Sequence, residues 1–208
     1  MSDSLTLCAT TRLAQTLRSE VPAGRKVWPT RQALTLGQWL GELADEAQLS
    51  GIAELPAALD PFAERLLWER VIAASLSEAT PLFDIQGMAA SAAEAQALCR
   101  VWQLKPGGAQ ASDEARLFAS WQAEFDKRCR AGGWLDAAGV QRQLVALIAA
   151  GHFGLPERIA FAGFDRFTPL ERDLMAALAD RGVSVEQLPA GPHDGSRRGV
   201  LACADRAA

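Results

Sequence analysis

The stretch Ile159–Leu178, IAFAGFDRFTPLERDLMAAL, decides how the rest of the chain is read. With Arg158 it begins as a short apolar run of the kind that fills a buried strand. A turn follows at Gly163–Phe167. Thr168, Pro169 and Glu171 then form a capping box with proline at the first helical position, which predicts a helix start. Leu170, Leu174, Met175 and Leu178 recur at helical spacing, and Gly182 marks the end. VSVEQL, 183–188, reads as another strand. Strand, helix and strand in this order predict a parallel α/β unit.

The front of the chain repeats the pattern. LTLCA, 5–9, reads as a buried strand, and RLAQTLRSE as a helix with Leu13 and Leu17 on one face. KVWPT, 26–30, predicts a second strand ended by Pro29. Between 36 and 150 the period is helical. The first helix, within LTLGQWLGELADEA, carries Leu36, Trp39, Leu40 and Leu43. Asp60 and Pro61 open a second, with Leu67, Trp68, Val71, Ile72 and Leu76 inward. A third, 84–103, aligns Met88, Ala92, Ala95, Leu98, Cys99 and Trp102. Ser112 caps a fourth, with Leu117, Phe118, Trp121, Phe125 and Cys129 on its face and Gly132-Gly133 as its stop. A fifth, 136–150, turns Val140, Leu144, Leu147 and Ile148 inward. VLACA, 200–204, predicts a last strand after the loop GPHDGSRRG.

The expected architecture is α/β: a mostly parallel sheet with strands from both ends of the chain and a helical subdomain inserted between them. The divisions fall at 1–35, 36–154 and 155–208. The last strand lacks a covering helix, so a continuation of the chain is expected. With 208 residues, 49 % of them apolar, a packed core is within reach. Charged or amide residues interrupt every apolar run, so no membrane span is expected. MSDSLTLCATTR lacks the basic start of a secretory signal, and a cytoplasmic location is expected.

Composition also narrows the chemistry. Cys8, Cys99, Cys129 and Cys203 form no close pair, and His152 and His193 stand apart in loops, so no metal or other cofactor is expected. A phosphate-binding loop needs glycines and a lysine, and ATTRLAQ after the first strand has neither. Thr10 and Thr11 are read either as N-cap residues or as remnants of a magnesium-side hydroxyl. A catalytic strand end needs an acid for metal and another for water, yet Ala162 and Gly163 stand there, with Asp165 the one acid of the turn. Cys8 lies at a strand end before a helix, but no base is near it in sequence. Net charge is −4, so the chain is not a strong electrostatic clamp for nucleic acid. Among six tryptophans, Trp39, Trp68, Trp102 and Trp121 fit the core, whereas Trp28 and Trp134 lie at segment edges as candidate exposed aromatics.

LTLCATTRLAQTLRSEV and VWPTRQALTLGQWLGEL resemble the start of RecC- and AddB-like bacterial DNA-repair proteins. FAERLLWERVI, FASWQAEFDKRCRAGGWLDAAGV and IAFAGFDRFTPLERDLMAALADRGVSVE resemble later blocks of the same front half. The order of the blocks, rather than any one motif, carries the resemblance over nearly the whole chain. It implies a RecA-like sheet of the UvrD helicase type with an inserted helical subdomain, normally followed by a PD-(D/E)XK nuclease domain. It also implies that Thr10, Thr11, Ala162, Gly163 and Asp165 are degenerate ATP-motif positions and that this segment is not catalytic. The implied role is an inactivated helicase scaffold that guides DNA or docks a helicase or nuclease partner subunit. Arg12, Arg31 and Arg166 are the candidate DNA contacts, each of them equally readable as an ordinary surface arginine. A protein-interaction module without DNA binding is the alternative reading. A small-molecule enzyme using the crevice at the strand ends comes last, for want of a catalytic set.

Overall fold

The computed structural model describes residues 4–19, 32–52, 55–76, 84–108 and 111–188. In chain order the elements are β1 (Ser4–Cys8), α1 (Thr11–Ser19), β2 (Ala33–Thr35), α2 (Leu36–Leu49), β3 (Ala57–Ala58), α3 (Pro61–Ser75), α4 (Ile85–Val101), α5 (Asp113–Gly132), β4 (Trp134–Leu135), α6 (Ala137–Ala150), β5 (Arg158–Ala162), α7 (Pro169–Asp180) and β6 (Ser184–Leu188). The expected strand at 26–30, the loop after β6 and the strand at 200–204 lie outside the described residues.

A parallel four-stranded sheet runs in the order β2-β1-β5-β6. Strands from the two ends of the chain thus meet at its centre, with Leu5 opposite Ile159 and Leu7 opposite Phe161. Alternation of side chains sends these four to one face, where Trp39, Leu43, Leu144, Ile148, Leu174 and Leu178 from α2, α6 and α7 cover them. The other face is built from Cys8, Ala33 and Ala162, with Ala14, Leu13 and Leu17 of α1 against it. Its small side chains let α1 lie close to the sheet.

The 36–154 block divides between two cores. Its first and last helices, α2 and α6, belong to the sheet core. The helices between them form a second core from Leu67, Trp68, Val71, Ile72, Ala89, Ala92, Trp121, Phe125 and Cys129. Trp68 stacks on Phe125 with centroids 4.2 Å apart. The two-stranded parallel sheet β3-β4 brackets this second unit.

Three sequence expectations need correction. Leu117, expected on the inward face of α5, is 45 % exposed. The second sheet strand among the described residues is Ala33–Thr35, whose Leu34 and Thr35 the sequence pattern assigns to the following helix. Thr35 ends that strand and caps α2 directly, in a capping box with Gln38. The buried face of α4 is Ala89, Ala92 and Gln96, while Leu98 is 56 % exposed. The helix is rotated because a polar network captures its Gln96 and Arg100.

That network joins the two cores. Asp136 is buried and caps α6, accepting from Gly139 N at 2.6 Å. Its other oxygen accepts from Arg100 Nε at 3.2 Å and Gln96 Nε2 at 3.3 Å. Arg100 also pairs with Asp126 on α5, and Gln122 donates to Gln96 at 2.5 Å. Away from this knot, Gln103 donates to Asp173 of α7 at 2.9 Å. Half-buried Glu64 of α3 borders a cavity of 170 Å³ shared with Gln96, Arg100, Asp136 and Gln141. Burial first, and the charge of Asp136 second, raise its pKa above the ordinary 4.5. The Trp68 N–H favours the ionised form without closing a hydrogen bond of ordinary geometry.

A raised carboxyl pKa means that the folded state holds its proton more tightly than the unfolded state. The associated stability is complete below the unfolded pKa and is lost as pH rises through the folded value. Facing Glu64 are Asp136 at the start of α6, Arg100 of α4 and Cys129 of α5. Glu64→Gln therefore melts above the parent protein at neutral and alkaline pH. The gap closes as pH falls well below the unfolded value of about 4.3, where the glutamate is protonated in both states. Thermal melts of the two proteins across pH check this.

Candidate functional site

In a sheet of this order the chain leaves β1 toward β2 on one side and returns to β5 on the other. Ligands of open α/β sheets bind where the order reverses, at the carboxyl ends of the strands. Here that place lies between the turn after Cys8 and the turn after Ala162. Ala9 N donates to Ala162 O at 3.0 Å and ties the two turns together.

Only Ala9 and Thr10 separate β1 from α1. Thr10 Oγ1 accepts from Leu13 N at 3.2 Å, so Thr10 caps the helix, and Thr11 is the exposed first residue of α1. Two residues leave no length for a loop that wraps phosphate. Gly163 has φ +76°, a conformation other residues seldom adopt. A Cβ placed on it would lie 2.6 Å from Leu13 Cδ2. The end of the leucine side chain thus lies in the crevice against this turn; the backbone conformation requires glycine at 163, and a Cβ there would make Leu13 shift. Ala162, buried with Cys8 and Ala14, belongs to the α1-side core.

The turn after β5 is organised by aromatics. Phe164 and Phe167 stack at 5.1 Å, and both meet Phe161 edge-on at 5.8 and 5.7 Å. With these rings inward, Asp165 and Arg166 are exposed. Arg12 is exposed on the first turn of α1. Arg12 and Arg166 therefore follow neighbouring central strands at the same end of the sheet. Neither guanidinium has a hydrogen bond or ion pair among the described residues. Arg31 lies outside the described residues.

Cys8 is fully buried. Burial, then Asp136, Asp126 and Glu64, push the Cys129 thiol up to about 11, which keeps it protonated and unreactive at neutral pH. Among the described residues no three His, Cys, Asp or Glu side chains gather as a metal site, and no helix is long and apolar enough to cross a membrane. Trp39, Trp68 and Trp121 are buried, Trp102 is partly so, and Trp134 is 38 % exposed. Sequence reasoning missed Arg100, Asp126 and Glu64. Asp136 was not singled out either; an Asp three residues before Gly139 at a helix start is the one local signal, while its partners are remote in sequence.

Gly163→Ala forces a non-glycine residue into the left-handed region and a methyl into Leu13, at a cost of about 2 kcal/mol. In a Leu13→Ala background the penalty shrinks to its conformational part, so the two substitutions are not additive. Urea unfolding of the four proteins measures the coupling.

No protein-family model matches the chain, and no curated protein matches it at a significant level.

Proposed function

We propose that the chain is a helicase-like scaffold segment without a motor: a RecA-like sheet with an inserted helical subdomain that guides DNA or docks a helicase or nuclease partner subunit in DNA repair. One observation carries this reading. At the switch point of the sheet, Leu13 packed on Gly163 fills the crevice, and no acid stands at the end of β5. The edge of that filled crevice carries two exposed arginines, Arg12 and Arg166, neither with a hydrogen bond or ion pair from its guanidinium among the described residues. A guanidinium at such an edge suits a phosphate of nucleic acid, which it can contact without base selectivity. With net charge −4 the contact is weak and salt-sensitive.

Fluorescence anisotropy with labelled single-stranded and forked DNA, with and without ATP-Mg, tests the reading. Binding is expected to weaken with salt, to ignore ATP-Mg, and to fall several-fold in the Arg12→Ala/Arg166→Ala protein. Tightening by ATP-Mg would mean that a nucleotide enters beside Leu13 after all. No binding at low salt would move the function to docking of protein alone.

A further inference from the structure

Away from the switch point, a groove of 370 Å³ runs between α3 and the β3-β4 pair. Its sides are Ala63, Leu66 and Arg70 of α3, with Ala57 and Ala58 along β3 and Trp134 from β4. Ala63, Leu66 and Arg70 recur at helical spacing and share one face. Phe62 stands beside this face, 72 % exposed.

Trp134 is fixed by its neighbours in sequence. A Cβ on Gly132 would come within 2.7 Å of three atoms of the indole, so the ring lies against bare backbone at the end of α5. Gly133, at φ +65°, makes the turn that puts it there. The result is a part-exposed aromatic ring, seated on backbone, bordering an apolar groove.

Charge at the groove is uneven. Arg70 is exposed and has no hydrogen bond or ion pair among the described residues. Asp60 is already committed as the cap of α3, accepting from Phe62 N at 2.8 Å and Ala63 N at 2.9 Å. Its charge is thereby set against the positive end of the helix. An extended peptide finds few backbone partners here. Ala57 N and Leu59 N already donate to Gly133 O and Leu135 O, and Pro56 has no N–H. A flat aromatic ligand with an attached anion fits better than a strand.

We infer that this groove takes a nucleobase of single-stranded DNA, stacked on Trp134, with the adjoining phosphate on Arg70. The inference rests on the DNA-guiding reading and adds a second contact point to it. Stacking of this kind tolerates any base, because every base presents a π-face.

The test is anisotropy with a fluorescein-labelled oligothymidine and with a base-free deoxyribose-phosphate oligomer of equal length. Trp134→Ala is expected to weaken oligothymidine binding about tenfold, and Trp134→Phe, which keeps a stacking face, by no more than about threefold. The base-free oligomer should bind the parent and Trp134→Ala proteins equally. Arg70→Ala should flatten the slope of log K against log salt by about 0.7, the value of one phosphate on a single strand. Unchanged affinity in Trp134→Ala, or equal losses on both oligomers, overturns the groove assignment. If Arg12→Ala/Arg166→Ala still weakens binding in that case, the DNA-guiding reading survives. Failure of the parent protein to bind either oligomer at low salt overturns both.

Discussion

The carboxylate of Asp136 holds the molecule's two halves in one arrangement. One oxygen starts α6, a helix of the sheet core, and the other receives Arg100 and Gln96 from α4, a helix of the second core. A buried carboxylate needs such partners, because removing one of them leaves a charge stranded at a cost of about 3–5 kcal/mol. An apolar patch could join the halves with similar stability. Directional bonds do something a patch does not: they select which turn of α4 meets the start of α6. The same selection leaves Leu98 exposed and brings Glu64 close to a second carboxyl group.

At the switch point a short connection and small side chains bring α1 against the sheet. The sheet order makes a crevice there, and the chain fills it with a helix that begins two residues after β1. Small residues on the α1 face, Cys8, Ala33 and Ala162, let the helix settle close enough for Leu13 to reach Gly163. A phosphate-wrapping loop would need that same volume and several glycines. The turn after β5 packs its half-buried phenylalanines on the sheet core and exposes Asp165 and Arg166. What stays exposed at this end of the sheet is the rim, with Arg12, Asp165 and Arg166.

The sequence made α7 plain because its cap, first proline and apolar face agree, and the structure reproduces each of them. The Asp60 cap of α3 and the Gly133 stop of α5 were equally legible. These signals are local. β2 was missed because it has three residues and no turn before α2, so its leucine and threonine read as helix. The face of α4 was misjudged because apolar spacing favoured Leu98, while bonds to Asp126 and Asp136 decided the rotation. The Leu13–Gly163 contact was invisible for the same reason: it joins residues distant in sequence. Only the need for a glycine at that turn could be read beforehand.

The pairing of β1 with β5 has a consequence for how the chain folds. Leu5 and Ile159 are neighbours in the sheet but about 150 residues apart in sequence. Loop closure grows costlier with length, by about 0.6 kcal/mol per doubling, and contacts between remote segments slow folding. The helices between them can form from local contacts and shorten the effective loop before the central strands meet. Until residues 158–162 have been synthesised, β1 can pair only with the three residues of β2. β1 therefore waits for its longest partner strand, while α1 and α2, made soon after it, can already cover its two faces.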